Sequence, residues 1–526
     1  MRRRRIGNPR PWTATLAARV ALVGILALAS SGCVWIRWAS RAVPGPGAIG
    51  VYGRVAVSAD GRYVAFAADR DARLPGAPPG VFRYDTLTDT LVAVSVATDG
   101  TPADDWSGEP SISADGRYVA FSSDAENLVP GDGNLATDVF VRDVTAGVTV
   151  RVSVSSTGVE ADEDSYAPSI SADGTRVAFT SDSDALVATD TNLSSDVFVH
   201  DRSAGTTVIA SVTSAGNPAE DGAWDGVISG NGRYVAFVTD SQFFSSDQND
   251  DDDVYRRDLQ TNQTARVSRP RAGNPVGGGG FGPAISDSGR FVAFTSWGTD
   301  LAAGDTNGVA DVFVRDMTLT ESEIASRADA GGLLGQPSGG ATISGDGTRV
   351  GFLTTAAAHP SDGNGAVTDG YVRDRTAGRT RLVSTDTTGA QTGTPVTGLT
   401  LAAAGRYVAF ATAGAYVGED SNGLRDVYLR FVDAPKITGI TPAVARGTSA
   451  TVTITGRAFA PDALVTAGAG ITVSNVTRVG DGTITATVTV PAGAPVGAAG
   501  VTVKNPAPPG GPGFGADDTC TCLQVT

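Results

Sequence analysis

Ser113-Ala-Asp-Gly-Arg-Tyr-Val-Ala-Phe121 is the phrase that decides the fold. Asp115-Gly116 is a strong signal for a tight hairpin turn, because glycine takes the left-handed backbone such turns require. The run that follows, Arg117 to Phe121, is almost continuously apolar, as in a strand covered on both faces. Copies of the phrase begin at Ser58, Ser171, Ser229, Ser286, Ser344 and, in degenerate form, Ala402. Their glycines are Gly61, Gly116, Gly174, Gly232, Gly289, Gly347 and Gly405, at intervals of 55, 58, 58, 57, 58 and 58 residues. Periodicity on this scale marks a repeat architecture.

Each unit reads as four strands. In the second, Pro110-Ser-Ile-Ser113 comes first and Arg117 to Phe121 second. Asp138-Val-Phe-Val-Arg-Asp143 follows a polar loop, and Thr149-Val-Arg-Val-Ser-Val154 follows a turn at Thr145-Ala-Gly147. Seven twisted four-stranded sheets, each buried on both faces, pack radially; a linear solenoid uses shorter repeats. The expected fold is all-β: a seven-bladed β-propeller. At these residues the chain resembles the TolB-like propeller repeat family, over residues 49–433. Blade one has Leu74-Pro-Gly-Ala-Pro-Pro79 in place of the acidic loop, and blade seven turns on Ala404-Gly405. No fourth strand for blade seven follows Asp433. Closure is left either to residues 43–50 pairing back or to side-chain packing alone.

The first residues are an address. Arg2 to Arg5 and Arg10 precede an apolar run from Thr15 to Ala29, and Ala-Ser-Ser-Gly-Cys33 closes it. Residues 1–32 therefore read as a secretory signal peptide. The ending resembles a bacterial lipobox, which implies lipidation of Cys33 and anchorage to the outer face of a bacterial membrane; Ser30 departs from the aliphatic residue usual in that motif. An uncleaved anchor lengthened by Val34, Trp35, Ile36 and Trp38, or simple secretion, are the other readings. Residues 33–48 are assigned to a linker.

The 526 residues carry 40 basic and 56 acidic side chains, a net charge of -16, which argues against a nucleic-acid partner. Losing residues 1–32 removes six of the 40 basic residues and no acid, leaving 34 against 56, a net of -22. Two histidines and three cysteines leave no material for a multi-histidine metal centre or a disulfide-dense scaffold. Cys520 and Cys522 are one residue apart, so a disulfide, free thiols and pairing outside the chain all stay open.

After Asp433 the composition changes. Thr451-Val-Thr-Ile-Thr-Gly456, Ile484-Thr-Ala-Thr-Val-Thr-Val490 and Val501-Thr-Val-Lys-Asn-Pro506 alternate at period two, the mark of half-buried antiparallel strands. Residues 434–506 resemble an IPT/TIG domain in the Ile-Thr-Gly-Ile-Thr-Pro442 start, the Gly456-to-Phe459 turn and the Val-Lys-Asn-Pro506 end, which implies an immunoglobulin-like sandwich acting as a spacer or interaction module. Residues 507–526 read as a flexible tail.

The chemistry-bearing pattern is Asp-x-Asn-x-x-x-Asp before the third strand: Asp132/Asn134/Asp138, Asp190/Asn192/Asp196, Asp247/Asn249/Asp253, Asp305/Asn307/Asp311 and Asp420/Asn422/Asp426, with Asp362/Asn364/Asp369 one residue longer. Oxygen donors on a turning loop suit structural calcium, and blade four, nearly all acidic from Asp247 to Asp253, suits it best. The same residues also build side-chain-to-backbone turns, and no distal glutamate completes a calcium-loop motif. Asp143, Asp201, Asp258, Asp316 and Asp374 end the third strands, each after Arg142, His200, Arg257, Arg315 or Arg373, read as surface charges. His359 falls in a polar loop. Trp106, Trp224 and Trp297 suit either ligand stacking or packing between sheets. No nucleophile elbow, zinc-protease motif or phosphate loop is present.

The function expected from this reading is a non-enzymatic binding scaffold outside the cytoplasm, its partner a protein or an envelope polymer met by rim loops. The alternatives are a carbohydrate-binding or carbohydrate-active propeller using paired carboxylates, and a calcium-dependent envelope or adhesive protein.

Overall fold

The computed structural model describes residues 36–40, 51–68, 79–244, 251–270, 278–319, 322–386, 389–432, 435–457, 459, 463–468, 470–480, 482–505 and 516–526. The chain is all-β, with repeated four-stranded antiparallel sheets. In the second sheet, Ser107–Ile112, Tyr118–Ser123, Asp138–Asp143 and Val148–Arg151 pair in chain order. The same meander runs from Val51–Val57 to Thr90–Ala93 in sheet one and from Ser165–Ile170 to Thr206–Ile209 in sheet three. Sheets four, five and six run from Trp224–Ile228 to Gln263–Arg266, Phe281–Ile285 to Ser322–Ile324, and Ser338–Ile343 to Arg379–Leu382.

Sheet seven differs. Its first three strands are Val396–Leu401, Tyr407–Thr412 and Asp426–Phe431, and its fourth is Ile36–Trp38 from the start of the chain. Ile36 stands opposite Arg430 and Trp38 opposite Tyr428. The closing strand thus comes from the stretch assigned to a linker, upstream of residues 43–50.

The continuously apolar second strands are explained by stacking. Val119 and Phe121 pack toward sheet one, while Ala120 between them packs toward sheet three. Phe121 and Phe140 stack within the sheet at 5.8 Å between ring centroids. Each pair of successive sheets encloses its own buried cluster, and sheet seven shares one with sheet one through Tyr407, Leu429, Val64 and Phe66. Fully burying one such aromatic or aliphatic side chain contributes roughly 1.5–3 kcal/mol.

A circuit of backbone hydrogen bonds joins the turns between first and second strands. The N–H of Ala59, Ala114, Ala172, Asn231, Asp287, Gly345 and Ala404 donates in turn to the carbonyl of Ala114, Ala172, Gly230, Asp287, Gly345, Ala403 and Ala59, at 2.8–3.0 Å. The last bond returns to the first sheet. Glycine at the turn is needed for contact as well as for backbone: Gly116 has φ +71°, and a Cβ there would lie 2.1 Å from the Tyr63 ring of the preceding sheet. Gly61 meets Tyr407 in the same way and ties sheet one to sheet seven.

Beyond residue 434, Lys436–Thr441, Ser449–Arg457, Thr483–Thr489 and Thr472–Gly480 form one sheet, and Leu464–Ala467, Gly497–Asn505 and Ala516–Val525 another. They share one core, including Ile454, Ile484, Val503 and Leu523. Ala516–Val525 lies in the stretch that composition assigns to a flexible tail. The alternation Thr519-Cys-Thr-Cys-Leu523 makes it a strand, with Cys520 opposite Val501 and joined to Cys522 by a disulfide. Among the described residues, no helix is long and apolar enough to cross a membrane.

Candidate functional site

Strand direction gives the seven sheets two ends. First strands run down to the Asp-Gly turns, second strands run back, and third strands run down again. The turns between strands one and two, and between three and four, therefore share one end, here the turn end. The long loops between strands two and three share the other, the loop end, with the connectors between sheets.

The Asp-x-Asn pattern lies at the loop end. In sheet two, Asn134 Nδ2 donates to Asp138 Oδ2 (3.1 Å) and to the Ala161 carbonyl (2.8 Å), while its Oδ1 accepts from the Ala136 N–H (3.1 Å). These three contacts fix the amide with its nitrogen toward the carboxylate. Arg151 fills the centre of the loop, reaching Asp132 at 2.9 Å, Asp138 at 3.0 Å and Glu160 at 2.6 Å. Burial nevertheless pushes the Asp132 carboxyl up to about 6. Asp253 pairs with Arg266, and Asp362 and Asp369 accept from Gln391 at 3.1 and 2.8 Å. In sheet seven, Trp38 Nε1 donates to Asp426 at 2.7 Å and the Tyr428 hydroxyl donates to Asp420. Asn307 donates to Asp311 at 2.7 Å, with Asp305 nearby and raised by burial. In sheet three no such cation is found among the described residues: Ile209 stands where sheet two has Arg151, and burial pushes Asp196 up to about 7 although Ser211 and Asn192 donate to it. Asp190 is raised as well, first by burial. No group of three His, Cys, Asp or Glu side chains suited to a metal ion occurs among the described residues. Asp247, Asn249 and Cys33 lie outside the described residues.

Directly after the asparagine, Leu135 and Leu193 stand at φ +59° and +57° and are 81% exposed, on neighbouring sheets. Gly308, Gly365 and Gly423 hold that position elsewhere, also at positive φ. Sequence reading missed these leucines. The signal was present: Leu occupies a site where three other copies carry glycine, the residue suited to left-handed backbone.

The second feature is the space on the axis, a cavity of about 450 Å³ lined by the first strands of all seven sheets. Its walls are mainly small residues, among them Gly53, Ser111, Ser169, Gly282, Gly340 and Gly398. Arg54 of sheet one reaches Asp225 of sheet four at 3.2 Å, a pair that no other sheets repeat among the described residues. Asp225 (φ +53°) and Glu109 (φ +52°) occupy bulges that Gly282 and Gly340 fill in sheets five and six. Glu109 Oε2 accepts from the Ser122 hydroxyl at 3.1 Å and the Ala167 N–H at 2.8 Å.

Other expected residues settle into structural roles. Arg257, Arg315, Arg373 and His200 are buried, correcting their reading as surface charges. Arg142 Nη1 donates to the Ala97 carbonyl of the preceding sheet at 3.1 Å, and Arg257 and Arg373 reach the Thr213 and Ala328 carbonyls likewise. His200, in the same place, meets Thr207 Oγ1 at 2.9 Å, and burial lowers its pKa. His359 Nδ1 accepts from the Ser361 N–H. Asp143 caps its turn by accepting from the Thr145 and Ala146 N–H groups, and pairs with Arg117 at 2.6 Å. Trp224 packs against the cluster between sheets four and five, Trp106 covers Gly108, and Trp297 is 55% exposed at the loop end of sheet five.

No family model matches the chain, and no curated protein matches it. Among solved structures, the putative TolB from Agrobacterium tumefaciens is 16% identical, over 55% of this chain and 86% of that one, with a TM-score of 0.34. The WD40 repeats of RRP9 are 9% identical, over 75% of this chain and 97% of that one, with a TM-score of 0.41.

Proposed function

We propose that this protein is a non-enzymatic binding scaffold: a seven-bladed propeller with a small immunoglobulin-like module after it, held outside the cytoplasm by a lipid on Cys33. The propeller reading is supported by the hydrogen-bond circuit that returns to sheet one and by the cluster that sheets seven and one share. The scaffold reading rests on one observation, the Leu135 and Leu193 pair. Left-handed backbone costs a non-glycine residue roughly 1–2 kcal/mol, and full exposure gives a leucine nothing back within its own chain. Glycine serves the turn in three other blades, so the fold does not require leucine there. A protein partner that covers both side chains supplies the missing return.

The test is a photo-crosslinking residue at position 135 or 193, activated in intact cells. Capture of the same neighbouring protein from both positions, and not from Thr88 at the turn end, is expected. Recovery of the uncrosslinked chain alone from both loop positions refutes the reading.

A second reading, carbohydrate binding in the channel, is favoured by the non-repeating Arg54–Asp225 pair that lines it. Its check is a glycan screen with Asp225→Asn as control. Binding that the variant abolishes supports it.

A further inference from the structure

We propose that the turn end of the propeller lies against the lipid bilayer, held there through Cys33, and that removal of the leader must stop short of Ile36. The inference rests on the extracytoplasmic lipoprotein reading and adds an orientation and a processing limit to it.

The limit comes from what Ile36–Ser40 does. Ile36, Ala39 and Ser40 are buried. Ser40 Oγ donates to Asp426 at 2.5 Å and accepts from the Val427 N–H at 3.1 Å. Ser153 makes the same two contacts, with Asp138 and Val139, as do Ser211, Ser268 and Ser326 with their own aspartates. A cut beyond Ser40 would therefore strip sheet seven of a strand and leave Asp426, itself 1% exposed, without its Ser40 donor. Trp38 donates to that carboxylate too, so Ile36 to Trp38 are committed to a sheet and unavailable to lengthen a membrane span.

The orientation follows from direction. Ile36 lies opposite Arg430, near the lower end of its strand, and the chain then climbs to Ser40 beside Asp426 at the loop end. Ile36, the first residue of this strand, accordingly lies toward the turn end. Three residue steps separate Cys33 from Ile36, a reach of about 10 Å at most. A lipid on Cys33 leaves no slack for the propeller to turn its other end to the bilayer.

Charge is distributed differently at the two ends. The loop end exposes Asp104, Asp105, Asp162, Glu163, Asp164, Glu220 and Asp221 on connectors between sheets. At the turn end the strand-ending aspartates are matched: Arg62 with Asp85, Arg117 with Asp143, Arg233 with Asp258 and Arg290 with Asp316, at 2.6–2.8 Å. Leu87 and Leu319 are exposed on the turns that follow. The turn end also exposes Asp115, Asp173 and Asp346, so the placement rests on strand direction and on the short reach from Cys33.

The experiment uses the full chain, expressed with its own leader, purified from membranes and reconstituted into phosphatidylethanolamine–phosphatidylglycerol vesicles carrying a headgroup spin quencher. A fluorophore is attached through Thr88→Cys at the turn end or Leu135→Cys at the loop end; the lipidated Cys33 and the Cys520–Cys522 disulfide do not react with it. The mature chain is expected to begin at diacylated Cys33, with fluorescence lost at position 88 and retained at 135. Loss at 135, or no loss at either position, overturns the inference while leaving a lipidated scaffold standing, whereas a mature start at residue 37 or later lacks Cys33 and overturns both. Soluble protein with an unmodified Cys33 overturns the lipoprotein reading itself. Should a cysteine variant fail to fold, the mass of the unaltered mature chain still decides the processing limit.

Discussion

Asp196 opens the third strand of sheet three and Asp316 ends that of sheet five, and their surroundings pull them in opposite directions. Asp316 accepts from Arg290 and from the Thr318 N–H and hydroxyl, which hold its carboxyl down at about 2. Such a group adds stability above the carboxylate range of the unfolded chain and loses it as pH falls through its folded value. Asp196 is buried without a cation and is held up at about 7. Folded Asp196 keeps a proton that the unfolded chain has released, so between pH 4 and 7 stability falls as pH rises. Stability from urea unfolding should therefore drop from pH 5 to pH 8, by at most about 3 kcal/mol from this residue. Asp196→Asn should flatten that slope. An unchanged slope in the variant would mean that Asp196 is not protonated in the folded state. At the same scale, Gly116→Ala meets both positive φ and the Tyr63 ring, whereas Gly131 (φ +79°) has open space around it. Gly116→Ala should cost about 2–4 kcal/mol and Gly131→Ala about 1, read as denaturation midpoints.

At the scale of the element, the strand that completes sheet seven shows what was legible and what was not. Apolar runs after a recurring glycine turn exposed the second and third strands, because both are long and apolar on both faces. Fourth strands are short and half exposed, so hydrophobicity alone hardly marks them. Their mark is the ending: Val94-Ser95, Val152-Ser153, Ala210-Ser211, Val267-Ser268, Ala325-Ser326 and Val383-Ser384. Ala39-Ser40 carries it too, but lies beside an apolar leader whose composition suggests an anchor. The loop pattern was equally visible, while its use was not. Whether Asp132 meets calcium or Arg151 depends on a residue 19 positions away in sequence, paired in space by the strand register. Ser40→Ala should lower stability by roughly 1–3 kcal/mol, the cost of a buried acceptor losing a donor, and Ser153→Ala should match it. Thermal melts that leave Ser40→Ala at the parent midpoint would show the N-terminal strand to be dispensable.

For the whole molecule, the question is how many parts melt. The seven sheets share a core at every interface, sheet seven to sheet one included, so disrupting one sheet exposes apolar surface on two others. That argues for one cooperative transition for residues 36–432. The C-terminal pair of sheets encloses a cluster drawn only from its own part of the chain, Ile437 to Val525. It should melt separately. Calorimetry of the full chain is expected to show two transitions, and a chain ending at Val432 should keep one of them with its midpoint unmoved. The same measurement reaches the calcium reading. Arg151 and Arg266 already place positive charge among the loop acids of sheets two and four, whereas among the described residues no arginine reaches Asp190 and Asp196 of sheet three, both raised by burial. If calcium is structural, millimolar metal raises the midpoint of the larger transition, a chelator lowers it, and Asp190→Asn abolishes the difference while the smaller transition stays in place. Identical melts in metal and chelator would assign these loops to turn-building alone, with Asn192 fixed by Asp196 and the Ala219 carbonyl in the manner seen for Asn134.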